Sequence, residues 1–198
     1  MDLWEIERGL LARGITPIAG VDEAGRGPLA GPVYAAAVIL PEGLEIPGLD
    51  DSKKLTPKKR EALFDVITEK ALSYAVAFAD NEEIDRLNIL YATFLAMNRA
   101  IAGLSVTPGI SIIDGNRNGG ILTPSVAVVG GDGKSANVAA ASILAKVTRD
   151  RVMTRLSETY PGYGFEKHKG YGTKEHYAAI RRLGPSEIHR RTFLRKMH

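Results

Sequence analysis

Residues 20–27 read Gly-Val-Asp-Glu-Ala-Gly-Arg-Gly, so two adjacent acids, Asp22 and Glu23, and one arginine, Arg26, stand among three glycines just after the apolar pair Ile18-Ala19. An ordinary turn uses one or two glycines and solvated polar residues, whereas carboxylates that follow an apolar run are costly unless a cation or hydrogen bonds receive them. Asp114 recurs in the same setting, after Ile112-Ile113 and before Gly115, and Asp132 follows Val129-Gly130-Gly131. Singly, each aspartate beside a glycine could be a turn residue. Four acids so placed point instead to one cluster. Crowded carboxylates repel unless a divalent ion lies among them, and their oxygens suit hard ions such as Mg2+ or Mn2+. A pair of such ions can activate a water and stabilise the leaving oxygen of a phosphodiester, so the implied chemistry is two-metal hydrolysis.

These acids need strands to bring them together. Residues 18–22 read as a strand, and 32–40 form a nearly continuous apolar run that suits a buried central strand paired back on it. Thr56-Pro57 opens a helix with Leu63, Val66, Ile67 and Ala71 on its buried face; residues 74–79 then read as a third strand. Asn88 caps a second long helix that ends at Gly103, and strands at 110–114 and 126–129 follow. Small and apolar residues are so dense from Ser135 to about Leu156 that this helix must be buried on most sides, and a last helix covers 174–183. A short helix with Leu3, Ile6, Leu10 and Leu11 on one face precedes the first strand. The order predicts one α/β domain over 1–198, with a mixed five-stranded sheet between helices. Residues past strand ends line the crevice of such sheets, so Asp22, Asp114 and Asp132 can converge. Asp22 and Glu23 would point to opposite faces of a regular strand. Both reach one site only if the strand breaks there, and Ala24-Gly25 is a suitable place.

Composition narrows the classes further. The 198 residues are 44% hydrophobic and 25% charged, close to a globular average, which excludes disordered and fibrous chains. No run suits a membrane span, and the acidic, amphipathic start is unlike a secretory signal, so a cytoplasmic monomer with no membrane partner is expected. With no cysteine, disulfides and thiolate zinc sites are excluded. Residues 145–198 carry 13 Lys and Arg against 5 Asp and Glu, a net of +8, whereas the preceding 144 residues carry 13 against 18, a net of −5. A basic C-terminal quarter is either the footprint of a polyanion such as nucleic acid or a solvated helical surface. Residues 131–135 superficially suggest a nucleotide-binding P-loop, but Val128 stands where its first glycine should be.

The sequence resembles the ribonuclease HII family. The carriers are the block at 20–27 with Leu29-Ala30-Gly31-Pro32-Val33, then Asp51-Ser52-Lys53-Lys54-Leu55, Ile113-Asp114-Gly115, Gly131-Asp132, residues 140–150, and Lys167-His168-Lys169-Gly170-Tyr171-Gly172-Thr173. They occur in the family's order from about Ile18 to Phe193. The resemblance implies an RNase H-like fold and metal-dependent cleavage of the RNA strand of RNA/DNA hybrids and of ribonucleotides embedded in duplex DNA. It maps the four-carboxylate site onto Asp22, Glu23, Asp114 and Asp132. It also maps the element that grips the RNA-to-DNA junction onto Gly25, Arg26 and Gly27, and the junction tyrosine onto Tyr171. Physical chemistry agrees, since glycines let amides approach a sugar, arginine forks a phosphate and an aromatic ring stacks on a deoxyribose. The chain starts one short helix before the first strand, which favours type HII over the related ribonuclease HIII. Lys53 and Lys54 are candidates for a backbone phosphate, with a solvated loop as the plain alternative. Lys146 and Asp150 are spaced as an intrahelical pair or as support beneath the metal site. His168 and His176 lack metal-ligand spacing. The rivals are a non-catalytic duplex-binding module and another RNase H-like nuclease, such as a resolvase that cuts all-DNA duplexes.

Overall fold

The computed structural model describes residues 2–195. In chain order it comprises α1 (Glu5–Leu11), β1 (Ile18–Ala24), β2 (Val33–Ile39), α2 (Pro57–Lys70), β3 (Ser73–Ala79), α3 (Asn81–Leu87), α4 (Ile89–Ala102), β4 (Ile110–Asp114) and β5 (Ser125–Val128). The basic C-terminal part then holds α5 (Ala136–Thr159), α6 (Phe165–His168), α7 (Lys174–Leu183) and α8 (Arg191–Leu194). The strands form one mixed sheet in the order β3-β2-β1-β4-β5, antiparallel from β3 to β1 and parallel from β1 to β5. That is the mixed five-stranded sheet expected.

Side-chain alternation assigns the two faces. Ala36 and Val38 of β2 and Ala24 of β1 pack with Ile143, Leu144 and Val147 of α5 and Leu63 and Ile67 of α2. Val33, Ala35 and Ala37 of β2 and Val21 of β1 pack instead with Phe94, Met97 and Ile101 of α4. Strands buried on both faces read as continuous apolar runs, which is why β2 is nearly all alanine and β-branched. The helix starts are fixed by side chains: Thr56 accepts from the Lys59 amide, Asn88 from the amides of Leu90 and Tyr91, and Ser135 from that of Val138.

Three short helices, α3, α6 and α8, are absent from the sequence expectation. In α3, Asp80 and Glu83 form a reciprocal capping box, a signal present in the sequence ahead of a stretch too short and polar to show periodicity. The four-residue α6 carries no periodic signal at all. One close approach sets the packing that matters for function. A Cβ on Gly20 would lie 2.1 Å from the backbone carbon of Asn137, so only glycine lets the start of α5 rest on β1. The Asn137 side chain then accepts from the Leu40 amide at 2.7 Å, fastening the end of β2 to the same turn of helix.

Candidate active site

β1 and β4 run parallel, and the register Val21↔Ile113 leaves Asp22 and Asp114 side by side at the same sheet edge. After β5 the chain turns back through a single 3-10 turn, Gly131–Gly133, and the Gly131 amide donates to Asp114 Oδ1 at 2.7 Å. This turn carries Asp132 in. Carboxylate oxygens of Asp22, Asp114 and Asp132 all lie within 4.8 Å of one another. Asp22 is 4% exposed and Asp132 7%. Burial, reinforced by the charges of Glu23 and Asp114, holds Asp22 well above the usual carboxylate range. Burial, with Asp114 and Asp51 beside it, also raises Asp132.

At such separations two like charges repel by roughly 3–4 kcal/mol in a medium of intermediate dielectric, so two buried carboxylates and a half-buried third need more than one exposed cation. Lys53 is that cation. Its Nζ lies 3.6 Å from Asp132 Oδ2, but the side chain is largely exposed. Burial pulls the Lys53 ammonium down, yet the carboxylates of Asp132, Asp22, Asp51 and Asp114 outweigh it and raise its pKa. An all-oxygen, buried and under-neutralised donor set fits a hard divalent ion.

Glu23 departs from the expectation. The strand does not break after Asp22: β1 continues to Ala24, with Glu23 paired to Ala35 and Ala24 to Tyr34. Glu23 therefore faces the α4 side, and its oxygens are not among those that meet within 4.8 Å. It nevertheless lines two adjoining clefts at the strand end, each shared with Asp114, one of them beside α4. A long side chain one row before the end of the pairing reaches the sheet edge without a break. Burial raises its pKa, against the pull of Arg26, whose guanidinium approaches Glu23 Oε1 at 3.4 Å.

The central cleft, about 220 Å³, is lined by Asp22, Glu23, Asp114, Lys53, the run from Ala24 to Gly27, and Tyr171. Tyr171 is 42% exposed, with Lys146 Nζ 6.0 Å and the Arg149 guanidinium 5.8 Å from the centre of its ring. A methyl group on Gly27 would touch that ring at 3.6 Å, so the glycine loop and the tyrosine form one surface. Lys54 is apart from it, bonded to Asp50 at 3.0 Å. Lys146 pairs with Asp150 at 2.8 Å within α5 and also lines the cleft.

Several residues at the site go unassigned in the sequence reading. Ser142 donates to Ser52 at 2.6 Å, and both line the cleft. Arg149 and Arg190 are fully buried behind the glycine loop. Arg149 falls in register with the buried Ala145 and Met153, and an arginine on an apolar stripe was the available signal.

Known proteins resemble this chain along nearly its whole length. A family model described as Ribonuclease HII matches residues 19–196. The Ribonuclease HII of Caldicellulosiruptor saccharolyticus is 55% identical over 194 residues, covering 98% of this chain and 95% of its own. That of Burkholderia mallei is 60% identical over 176 residues, with coverages of 89% and 82%. The crystal structure of the ribonuclease H2 from Pyrococcus horikoshii OT3 aligns with a TM-score of 0.73 at 31% identity, over 88% of this chain and 92% of that one. The fold is accordingly RNase H-like. Because the match spans nearly every residue, from the strand that carries Asp22 to the segment that closes on the glycine loop, the chain belongs to the ribonuclease HII family.

Proposed function

We propose that this chain is an endoribonuclease that cleaves the RNA strand of RNA/DNA hybrids and nicks duplex DNA at embedded ribonucleotides, leaving 5′-phosphate and 3′-hydroxyl ends. The observation that carries the reading is the convergence of Asp22, Asp114 and Asp132 within 4.8 Å beside a glycine loop and an exposed tyrosine. Asp22, Asp114 and Asp132, with Glu23 at the rim, would hold Mg2+ or Mn2+. Bound there, a pair of such ions supplies the positive charge that activates water and stabilises the leaving oxygen.

The remaining groups serve binding and orientation. Lys53 and Arg26 offer the scissile phosphate a cation on each side of the carboxylates, and Arg26 would exchange its contact with Glu23 for a phosphate fork. Arg26 and Gly27 are exposed, and their amides suit the 2′-hydroxyl, the group that separates RNA from DNA. Tyr171 suits stacking on the deoxyribose that follows the junction. The reading includes a single catalytic domain over 1–198, acting as a monomer in the cytoplasm. Among the described residues no helix is long and apolar enough to cross a membrane.

The test uses three duplexes: all-DNA, DNA with one ribonucleotide, and a continuous RNA/DNA hybrid, each with Mg2+, Mn2+ or EDTA. Divalent-dependent cleavage of the two RNA-containing duplexes, with 5′-phosphate products, is the expected result. Binding without turnover under every ion, or equal cutting of all-DNA, would overturn the reading.

A further inference from the structure

We infer that residues 186–190 are a clamp that positions the substrate-reading surface, Arg190 fixing the glycine loop at 25–27 and His189, acting through His176, fixing Tyr171. The inference rests on the proposed function, since it concerns the loop and tyrosine to which that reading assigns substrate selection.

Arg190 is fully buried and, among the described residues, forms no ion pair with a carboxylate. Its guanidinium instead donates to three main-chain carbonyls: Gly25 at 2.6 Å, Arg26 at 2.9 Å and Gly31 at 2.9 Å. A trans peptide directs its C=O and N–H to opposite sides. Pulling the carbonyls of Gly25 and Arg26 inward therefore aims the amides of Arg26 and Gly27 outward, and neither amide has an internal acceptor among the described residues. The neighbouring Arg149 is buried too and donates to the carbonyls of Pro32, Lys169 and Ala30. Two cations buried side by side are unfavourable as packing, and apolar residues would fill the space better. Their fixed forks define where this backbone lies.

His189 acts on the other half. It bridges to Ala30, while the Gly31 amide donates to Ile188 and the Arg190 amide to Leu29, so the segment is stitched to the end of the glycine loop. The Ser186 amide donates to His189 Nδ1 at 2.9 Å, which leaves the ring proton on Nε2. That proton faces His176 Nε2 at 3.1 Å, and His176 Nδ1–H donates to the Tyr171 carbonyl at 2.9 Å. The Leu29 amide closes the frame by donating to the Gly170 carbonyl at 2.8 Å. Neither His189 nor Arg190 lines the cleft, so both act through other residues.

The test is steady-state kinetics on duplex DNA carrying a run of ribonucleotides, scoring cleavage at the RNA–DNA junction against cleavage inside the run. Arg190→Lys, which keeps the charge and loses the fork, should raise KM about tenfold, change kcat by less than threefold and lower the junction ratio about tenfold. His176→Leu should also lower the ratio, whereas His176→Asn, which keeps a donor at the Nδ1 position, should restore most of it. If circular dichroism shows Arg190→Lys unfolded, the two His176 variants decide alone. Variants that keep the wild-type ratio, or lose kcat alone, overturn the clamp while leaving the proposed function standing. A wild type that shows no nicking overturns the proposed function itself.

Discussion

At the scale of single residues, the buried aspartates Asp22 and Asp132 oppose stability. Burial and like charge raise the pKa of Asp22, so between its unfolded and folded values the native state binds more protons than the unfolded chain. Stability of the metal-free protein therefore falls as pH rises through that window. Asp22→Asn removes the charge and can keep the acceptor now used by the Glu23 amide at 2.7 Å. In EDTA, thermal unfolding of this variant should show a gain of about 1 kcal/mol and a flatter dependence on pH. Activity should fall by at least about a hundredfold. A lower melting temperature in EDTA would mean that the cluster is not the electrostatic burden described. These acids are legible in the sequence because each follows an apolar strand and has a glycine within two residues. Arg190 and His189 are not, because a charged side chain in a basic segment reads as solvated until the fold buries it.

At the scale of elements, α5 is the part that must be placed correctly, because its preceding turn carries Asp132. Gly20 permits the contact, and Glu7 of α1 accepts from the Ser135 hydroxyl and the Asn137 side chain at the start of the helix. The atoms a Cβ on Gly20 would meet are backbone, which cannot rotate away. Gly20→Ala should destabilise by at least about 2–3 kcal/mol in chemical denaturation and weaken divalent-ion binding by moving Asp132 from Asp22. Unchanged ion affinity would separate the Gly20 contact from the site. The long elements are legible through periodicity and caps such as Thr56 and Asn88. The continuity of β1 through Glu23 is not, since pairing with β2 is a tertiary fact that overrides the Ala24-Gly25 signal. The short α3 and α6 lie below the length at which periodicity speaks.

At the scale of the whole molecule, charge is divided along the chain, with a net of +8 in residues 145–198 and −5 before them. A polyanion engaged by that quarter releases counterions, so kcat/KM should fall steeply with salt. Lys53→Ala should lower the slope of log kcat/KM against log salt by about 1. Lys54→Ala, whose ammonium already faces Asp50, should change it by less than half as much. Equal slopes for both variants would dissociate Lys53 from the phosphate. The charge division is legible from composition, but which lysine faces the cleft depends on the 3-10 turn Ser52–Lys54, which places Lys53 toward Asp132.

The central claim is that Asp22, Asp114 and Asp132 together hold the ions that make this fold a nuclease. A Mg2+ titration of nicking on duplex DNA with one ribonucleotide, run in parallel for wild type and Asp114→Asn, tests it most directly. The account predicts saturable, Mg2+-dependent cleavage by wild type and a loss of at least about a thousandfold in the variant, with its folding intact. Cleavage by Asp114→Asn at the wild-type rate and Mg2+ midpoint would contradict it.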